Sequence, residues 1–268
     1  MHVEFVWTEE QYQPLVDGCK DNPMLKYIFK YLPKNKPLLE AGCGLSNFVK
    51  YLTTLSYDVH GIEVSKNAVQ IVNKLEPSLK VIEGTIEKMP YPDNFFGGLM
   101  SFGVIEHITE GPEKALSELY RVLEPGATAL ISVPIFNSVR KIKYYTGLAF
   151  IDYYTRRAYH KITKKDMDWL YKDITILQNP KYHTWPTCGG FFEYRFTKNE
   201  ISNKLRNAKF EIIEEIPLEG LAGLYHEFGG KIVNLNSPSL FIRLFDKVLS
   251  NFPFAHHHTY LAIVKKPA

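Results

Sequence analysis

Residues 36–46 read KPLLEAGCGLS, and this stretch decides the fold. A short apolar run ends at Gly42 and Gly44, and residues 47–55 then repeat apolar side chains at helical spacing. Glycines between a strand and a helix let the backbone turn tightly and approach a ligand closely. A strand–helix turn that binds no ligand would have the same sequence pattern. Other parts of the chain are therefore needed to distinguish a ligand-binding turn from a purely structural one.

The alternation of short apolar runs with amphipathic segments continues to residue 134 and resumes near the end of the chain. It predicts strands at 36–41, 58–63, 79–83, 95–101, 127–133, 210–216 and 260–264. Ser65 is a predicted helix cap, and Pro125-Gly126 separates a helix from the fifth strand. Such alternation favours an α/β fold with a doubly wound, mainly parallel, seven-stranded sheet. Ligands of such sheets bind outside the carboxyl ends of the strands.

The same pattern divides the chain into four segments. A helical lead-in (1–35) precedes the ligand-binding half of the sheet domain (36–134). Residues 135–196 form a helical and aromatic lid insertion, with no clear strand between 135 and 192. Residues 197–268 supply the last helix and strands, with a second, partly helical insertion at 218–257. We therefore expect one sheet domain with two insertions rather than two independent domains.

Composition narrows the class of protein. The 268 residues are 45% hydrophobic and 23% charged, which excludes a disordered chain, a collagen and a coiled coil. A net charge of +3 is too mild to indicate a nucleic-acid partner by itself. Cys19, Cys43 and Cys188 are widely spaced and predict reduced thiols. With neither an apolar signal-peptide core nor a run long enough to span a bilayer, the sequence predicts a cytoplasmic protein.

The aromatic residues are unevenly distributed. Residues 36–134 hold eight of them, and the other 169 residues hold 29, about twice the density. Within 139–172 these rings alternate with lysines and arginines. Such a segment can contact an anionic membrane surface, hold a phosphorylated acceptor or stack on nucleic acid. We interpret it as a lid that packs on the sheet domain and partly lines a substrate site.

Two acidic residues flank the glycine turn. Glu63 ends the second predicted strand, 19 residues after Gly44, where a carboxylate can accept two hydrogen bonds from a ribose diol. Nicotinamide-dinucleotide and adenosyl-cofactor folds share this arrangement. Position 47 is Asn where pyrophosphate-binding turns carry a third glycine. Glu40, directly before the turn, would repel a pyrophosphate and suit a cationic ligand.

Four stretches, taken in order, resemble the class I S-adenosylmethionine-dependent methyltransferases, especially their small-molecule (methyltransferase type 11-like) branch. They are LLEAGCGLSNF, HGIEVS, EGTIEKMPYPDNFFGGLMSFGVIEHI and LYRVLEPGATALISVP, which together fall within residues 36–134. FTKNEISNKLRNAKFEIIEE and the strand near 260 fit more loosely. The resemblance implies a Rossmann-like methyltransferase fold and S-adenosyl-L-methionine as cofactor. It also implies in-line methyl transfer to an acceptor, leaving S-adenosyl-L-homocysteine.

The resemblance assigns cofactor roles residue by residue. The methionine part of the cofactor is expected at Glu40, Ala41, Gly42 and Gly44, and the ribose diol at Glu63. The adenine ring is expected beside Val64, Thr85 and Ile86, and the sulfonium beside Ser101, Phe102 and Gly103. Three positions depart from the family pattern: Ser46 replaces a glycine, and Thr85 and Gly97 each replace an Asp. Of these, Thr85 would accept a hydrogen bond from the adenine amino group more weakly than an Asp would.

His107 is the candidate general base, because the loop after the fourth strand is expected next to the sulfonium. Positioning the cofactor or the acceptor is the commoner role of a histidine there. No metal site is predicted. Glu106 and His107 lack a third ligand, and consecutive strand residues such as those at 256–258 point to alternating faces.

The sequence indicates less about the methyl acceptor than about the cofactor. We predict a small-molecule, lipid-linked or sugar-linked acceptor, and its candidate contacts are Tyr12, Tyr194, Tyr225 and His226. Trp7 is expected to fold over the cofactor. Alternatives are a nicotinamide-dependent oxidoreductase and a catalytically inactive cofactor-binding protein. A nucleic-acid methyltransferase is less favoured, because the charge is low and no N-P-P-Y-like motif is present. The sequence does not specify an oligomeric state.

Overall fold

A computed structural model describes residues 7–148, 151, 162, 181–185, 191–228 and 233–268, apart from the side chains of 182–185 and 191–192. The chain divides into two compact units. The first unit comprises Met1–Ser132, Ser202–Glu215 and Leu261–Ala268. The second comprises Val133–Ile201 and Ile216–Tyr260, and most of the residues assigned to the two insertions fall in it.

Nine strands are present among the described residues. They are β1 Leu38–Ala41, β2 Val59–Glu63, β3 Lys80–Glu83, β4 Phe96–Phe102, β5 Leu123–Pro134, β6 Tyr182–Trp185, β7 Phe191–Tyr194, β8 Glu211–Leu218 and β9 Thr259–Lys265. Seven of them form one mixed sheet in the order β3-β2-β1-β4-β5-β9-β8. The pairs β1–β2, β1–β4, β2–β3 and β4–β5 are parallel. The predicted seven-stranded α/β sheet is confirmed.

The central strand β1 sets the position of the site. It lies between β2 and β4, so all four of its residues, LLEA, are buried. One of them is Glu40, which pairs in register with Gly61 of β2. After β1 the chain turns back, and the N–H groups of Gly42 and Cys43 donate to the carbonyl of Ile62 at 2.9 and 3.1 Å. Strand order reverses between β1 and β4, which is the place where such sheets bind ligands.

The described α-helices are numbered in chain order. They are α1 Tyr12–Cys19, α2 Leu25–Tyr31, α3 Asn47–Thr54, α4 Lys66–Leu75, α5 Glu113–Val122, α6 Ser138–Tyr145, α7 Lys198–Asn207, α8 Gly220–Phe228 and α9 Leu240–Leu249. Ser65 caps α4 as predicted, because its Oγ accepts from the N–H of Ala68 at 3.3 Å. None of the described helices combines the length and apolar character that crossing a bilayer requires.

The lead-in and the start of β5 show details that the sequence did not predict. The lead-in consists of a 3₁₀ turn followed by two short helices, α1 and α2. Asn22 and Pro23 separate the two helices, and Asn22 Oδ1 accepts from the N–H of Met24 at 2.9 Å. Strand β5 begins at Leu123 instead of residue 127. Gly126, at φ +81°, keeps the strand continuous by donating its N–H to the carbonyl of Lys266.

The second unit contains a hairpin that the sequence prediction missed. Strands β6 and β7 pair antiparallel, with Tyr182 opposite Tyr194, whereas no clear strand was expected between 135 and 192. Unlike β1 and β3, which also have four residues, these strands do not belong to an alternation of strands and helices, which is the pattern that predicted the sheet. Of the predicted basic and aromatic segment 139–172, only 139–148, 151 and 162 are among the described residues. Cys188 also lies outside them.

Helix α8 packs closely on a neighbouring segment of the second unit. A Cβ added to Gly223 would lie 1.7 Å from the carbonyl oxygen of His256, so only glycine fits there. Leu224 of α8 forms a small apolar cluster with Val233 and Ile242. The unit therefore has a core of its own.

Candidate active site

A cavity of about 350 Å³ lies at the carboxyl ends of the central strands in the first unit. Its volume falls within the usual range for small-molecule sites. The predicted residues that line it are Glu40, Gly42, Gly44, Glu63, Val64, Thr85, Ile86, Phe102, Gly103 and His107. Most of the residues predicted to hold the cofactor therefore surround one space.

The glycine turn forms one wall of the cavity. Gly42 has φ +79° and Gly44 has φ +51°, both in the left-handed region that favours glycine. A Cβ on Gly42 would lie 2.5 Å from both methyl carbons of Val104. A Cβ on Gly44 would lie 3.0 Å from Cζ2 of Trp7. The turn is thus packed on both sides, and the backbone of its two glycines borders the cavity because neither residue has a side chain.

Glu63 connects this turn to the end of β2. Its Oε2 accepts the N–H of Gly44 at 2.8 Å, and its Oε1 accepts the N–H of Ser65 at 2.9 Å. An ionised carboxylate has about four acceptor positions, so two remain on Glu63. Those two positions match the two hydroxyls of a ribose diol.

Glu40 is a buried acid on the same cavity. Its side chain is 5% exposed, and Oε2 accepts the N–H of Val49 at 3.2 Å. Burial, with a smaller contribution from the charge of Glu63, raises the pKa of Glu40 to about 8. No cationic side chain among the described residues forms an ion pair with it. A cationic ligand fits this site, because it would supply the missing positive charge.

The opposite end of the cavity is suited to a flat apolar ring. Val64 is 43% exposed beside the buried Ile86, and both line the space. The Oγ1 of Thr85 accepts the N–H of Glu87 at 3.2 Å. One lone pair of that hydroxyl is therefore already used, which leaves Thr85 a single further acceptor position.

The loop after β4 forms the third side of the cavity. Phe102 packs edge-on against Phe48 with ring centroids 5.4 Å apart. His107 ends a 3₁₀ turn that begins at Ile105, and its Nε2 lies 3.9 Å from Oε1 of the buried Glu106. His107 thus borders the cavity with an acid beside it, which is the arrangement a base or a positioning residue requires.

Some predicted site residues lie elsewhere. Ala41 and Ser101 are buried in β1 and β4 and do not line the cavity, and the Oγ of Ser101 has no hydrogen-bond partner among the described residues. Along β1 and β4 they alternate with Glu40 and Phe102, which do line the cavity, so their side chains lie on the other face of the sheet. Tyr12 is buried in α1 and does not line the cavity, whereas Trp7 and Leu15 do.

The other acceptor candidates belong to the second unit. Tyr194 O–H lies 3.3 Å from Glu200 Oε1, and the ring of His226 stacks on that of His258 at 4.1 Å. Burial lowers the pKa of His226. Their predicted role in acceptor binding stays a prediction.

Eight residues of the wall had no predicted role: Leu15, Cys43, Leu45, Asn47, Phe48, Gly84, Val104 and Ile108. Cys43 lies inside the G-x-G turn, so its placement follows from the turn itself. Burial raises the pKa of its thiol well above the usual value, which keeps the group neutral. Val104 and Ile108 gave no signal in the sequence, because single apolar residues in a loop resemble core residues.

No cluster of three or more metal-ligating side chains occurs in the part of the chain that the structure describes. The consecutive histidines at 256–258 have other surroundings than a metal ion. The Nε2 of His256 lies 2.7 Å from Oδ1 of Asp246, and burial lowers the pKa of His257 to about 4.

Comparison with known proteins agrees with this geometry. Residues 39–131 match the family model of the methyltransferase domain. A probable S-adenosylmethionine-dependent methyltransferase of Mycolicibacterium smegmatis is 30% identical over 99 residues, which are 37% of this chain and 38% of that protein. The chain spans about two fifths of the length of the first curated relatives it matches.

Two further relatives have named acceptors. A demethylmenaquinone methyltransferase of Chlorobaculum tepidum is 35% identical over 91 residues, which are 32% of this chain and 36% of that protein. A tRNA (carboxymethyluridine(34)-5-O)-methyltransferase of Arabidopsis thaliana is 27% identical over 113 residues, which are 41% of this chain and 27% of that protein. The shared domain therefore occurs with different acceptors.

The fold extends over more of the chain. A crystal structure of a SAM-dependent methyltransferase from Methanosarcina mazei superposes with a TM-score of 0.59 at 17% identity, covering 90% of this chain and 97% of that one. This chain therefore shares its fold with that SAM-dependent methyltransferase, and residues 39–131 match a methyltransferase domain. The names of these proteins point to S-adenosyl-L-methionine as the cofactor rather than to a nicotinamide dinucleotide.

Proposed function

We propose that this protein transfers the methyl group of S-adenosyl-L-methionine to a small-molecule, lipid-linked or sugar-linked acceptor. One observation carries the proposal. A single cavity brings together Glu63, with two acceptor positions left, and Glu40, a buried carboxylate that forms no ion pair with a described residue. A ribose diol and a positive charge on the same ligand satisfy both acids.

The protein contributes binding and orientation. The cofactor supplies a methyl group activated by a positively charged sulfur. Glu63 would hold the ribose, and the turn at Gly42 and Gly44 would let the ligand lie against the backbone. Holding the acceptor in line with the methyl–sulfur bond can contribute about 7–11 kcal/mol.

His107 is the residue best placed to receive a proton from a hydroxyl acceptor, because it lines the cavity beside Phe102 and Gly103. A general base at this position contributes about 10²–10⁴-fold in rate. An acceptor that carries no proton to lose would need His107 only for positioning.

The acceptor class is inferred from the cavity wall and from the charge. Trp7, Phe48, Phe102 and Ile108 make much of the wall apolar, which suits a small organic or lipid-linked molecule. A net charge of +3 gives little general attraction for nucleic acid. We also infer a cytoplasmic location, because the described cysteines Cys19 and Cys43 are free thiols.

Calorimetric titration with S-adenosyl-L-homocysteine tests cofactor binding. We expect the wild-type protein to bind it and not NAD, and Glu63→Ala to weaken binding at least tenfold. Glu83→Ala is the matched control, because Glu83 pairs with Glu63 in register at the end of β3 yet is exposed and outside the cavity. Equal loss in both variants, or no binding by the wild type, would contradict the proposal.

A product assay tests the acceptor class. We expect S-adenosyl-L-homocysteine to form with some member of a panel of small-molecule, lipid-linked and sugar-linked acceptors. In one contrary outcome, product forms only with RNA, and the affinity of the protein for RNA falls steeply as the salt concentration rises. That result would identify a nucleic acid, rather than a small molecule, as the acceptor. Cofactor binding without product in any arm would identify a catalytically inactive protein.

A further inference from the structure

Exposed apolar side chains are concentrated in the second unit. Among the described residues, every large apolar side chain that is more than half exposed belongs to it: Ile142, Tyr145, Leu148, Ile151, Ile162, Leu240, Phe241, Leu244, Val248 and Phe252. In the first unit, the most exposed are Phe29 and Ile213, each at 47%. Exposed apolar surface marks interaction sites where it is contiguous, and the neighbouring residues of α9 in this set form such a surface.

Helix α9 presents two apolar faces. Its inner face packs Ile242, Phe245 and Leu249 on the cluster around Leu224 and Val233. Its outer face carries apolar residues at helical spacing, namely Leu240, Phe241, Leu244 and Val248, which are 54–73% exposed. The inner face packs in the apolar cluster of this unit. The outer face is exposed and can therefore contact another molecule.

The charges on α9 are arranged asymmetrically. Arg243 and Lys247, one turn apart, are exposed beside the outer apolar face. The helix has one acid, Asp246, and its Oδ1 lies 2.7 Å from Nε2 of the fully buried His256. The acid therefore faces inward, and the outer face carries apolar and basic side chains only.

We propose that the outer face of α9 docks on an anionic lipid surface. An apolar stripe that contains aromatic rings and is bordered by basic residues is the pattern of helices that lie in the membrane interface. Arg243 and Lys247 complement anionic headgroups, and Phe241, on the outer face of α9, is positioned to enter the acyl boundary. A helix of ten residues is too short to span a bilayer, so the contact is peripheral. This inference does not depend on methyl transfer.

Vesicle flotation with the full-length chain tests the proposal. We expect binding to vesicles of equimolar phosphatidylglycerol and phosphatidylcholine, weak binding to phosphatidylcholine alone, and a decrease with added salt. Lys247→Glu should weaken binding to the anionic vesicles more than about fivefold, since each basic residue contributes about that factor. Phe241→Ser should weaken it about tenfold or more by removing an inserted ring.

Matched substitutions in the first unit serve as controls. Phe29→Ser removes an exposed ring, and Lys66→Glu reverses an exposed charge, and neither should change vesicle binding. Circular dichroism checks that each variant is folded. The proposal is overturned if the wild type does not float with anionic vesicles, or if Phe241→Ser floats as well as the wild type. Concentration-dependent dimerisation abolished by Phe241→Ser, without flotation, would assign the face to a second copy of the chain instead.

Discussion

The carboxylate of Glu63 lies 2.8 Å from the backbone nitrogen of Gly44, so the acid at the end of β2 and the glycine turn after β1 form one hydrogen-bonded unit. The second oxygen of Glu63 is held by the N–H of Ser65 at 2.9 Å. The acid is thus oriented in the absence of a ligand. Preorganisation of this kind reduces the ordering that a ligand would otherwise have to impose.

We predict that Glu63→Gln destabilises the protein as well as weakening cofactor binding. An amide has only one acceptor oxygen, so either Gly44 or Ser65 loses its partner and faces an NH₂ group. The free energy of unfolding should fall by about 1–3 kcal/mol in urea denaturation.

The exposed Glu83 provides the comparison. Glu83→Gln should change the unfolding free energy by less than about 0.5 kcal/mol. An equal effect of the two substitutions would mean that the hydrogen bonds of Glu63 contribute nothing specific to stability.

Glu40 should make the stability of the unliganded protein depend on pH. Its pKa is raised from 4.5 to about 8, so the folded state holds the proton more tightly than the unfolded chain. The contribution of Glu40 is complete below pH 4.5 and is lost as pH rises towards 8. Glu40→Gln retains an acceptor for Val49 but cannot ionise, so its urea midpoint should change less over this range.

At pH 8, Glu40→Gln should therefore be the more stable protein by an amount on the order of 1 kcal/mol or more. It should also bind S-adenosyl-L-methionine more weakly, because the charge that attracts a cation is gone. Parallel slopes of stability against pH for the two proteins would show that Glu40 does not titrate in this range.

Two glycines with the same backbone conformation separate steric from conformational effects. Gly126 has φ +81° and no atom within 4 Å of an added Cβ, so Gly126→Ala should cost about 1–2 kcal/mol. Gly42 has φ +79°, and its added Cβ would overlap both methyls of Val104, so Gly42→Ala should cost at least about 1–3 kcal/mol more.

The double substitution Gly42→Ala/Val104→Ala tests this explanation. Removing both methyls should bring the cost of the alanine at 42, measured against Val104→Ala alone, down to that of Gly126→Ala. No such recovery in urea denaturation would place the strain somewhere other than at Val104.

In the second unit, Arg140 and Glu227 form a buried ion pair through Nε and Oε1. Arg140 also donates to the carbonyl of Ile135 and contacts Nδ1 of His258 at 2.9 Å. Glu227→Ala leaves the guanidinium buried with one partner fewer and should cost about 3–5 kcal/mol. Arg140→Met/Glu227→Leu should recover part of that loss in thermal denaturation, and a double variant no more stable than the single one would argue against this account.

The part of the site that follows chain order was predictable from the sequence. A glycine turn after β1, an acid after β2 and a loop after β4 meet because parallel strands end at one edge of the sheet. The sequence therefore placed Gly42, Glu63 and His107 around one space, although their roles stay predictions. Ala41 and Ser101 were included because the family motif contains them. Their buried side chains do not line the cavity, and their role stays a prediction.

The features of the fold that were not predicted from the sequence depend on contacts between residues far apart in the chain. The pairing of Asp246 with His256 determines which side of α9 is basic, and no local pattern indicates that pairing. The hairpin of β6 and β7 was missed because it lies outside the strand–helix alternation that predicted the sheet. In the lead-in, the helical spacing did not indicate where the turn at Asn22 and Pro23 separates α1 from α2.

Trp7 lies against Gly44 as part of the cavity wall, although it precedes the sheet by some thirty residues. One side of the cavity is therefore formed by a segment that is distant from the strands in sequence. A fluorescent reporter is thus already present. The emission of this indole should change when a nucleoside fills the cavity, which would give a direct optical measure of binding and release rates without labelling.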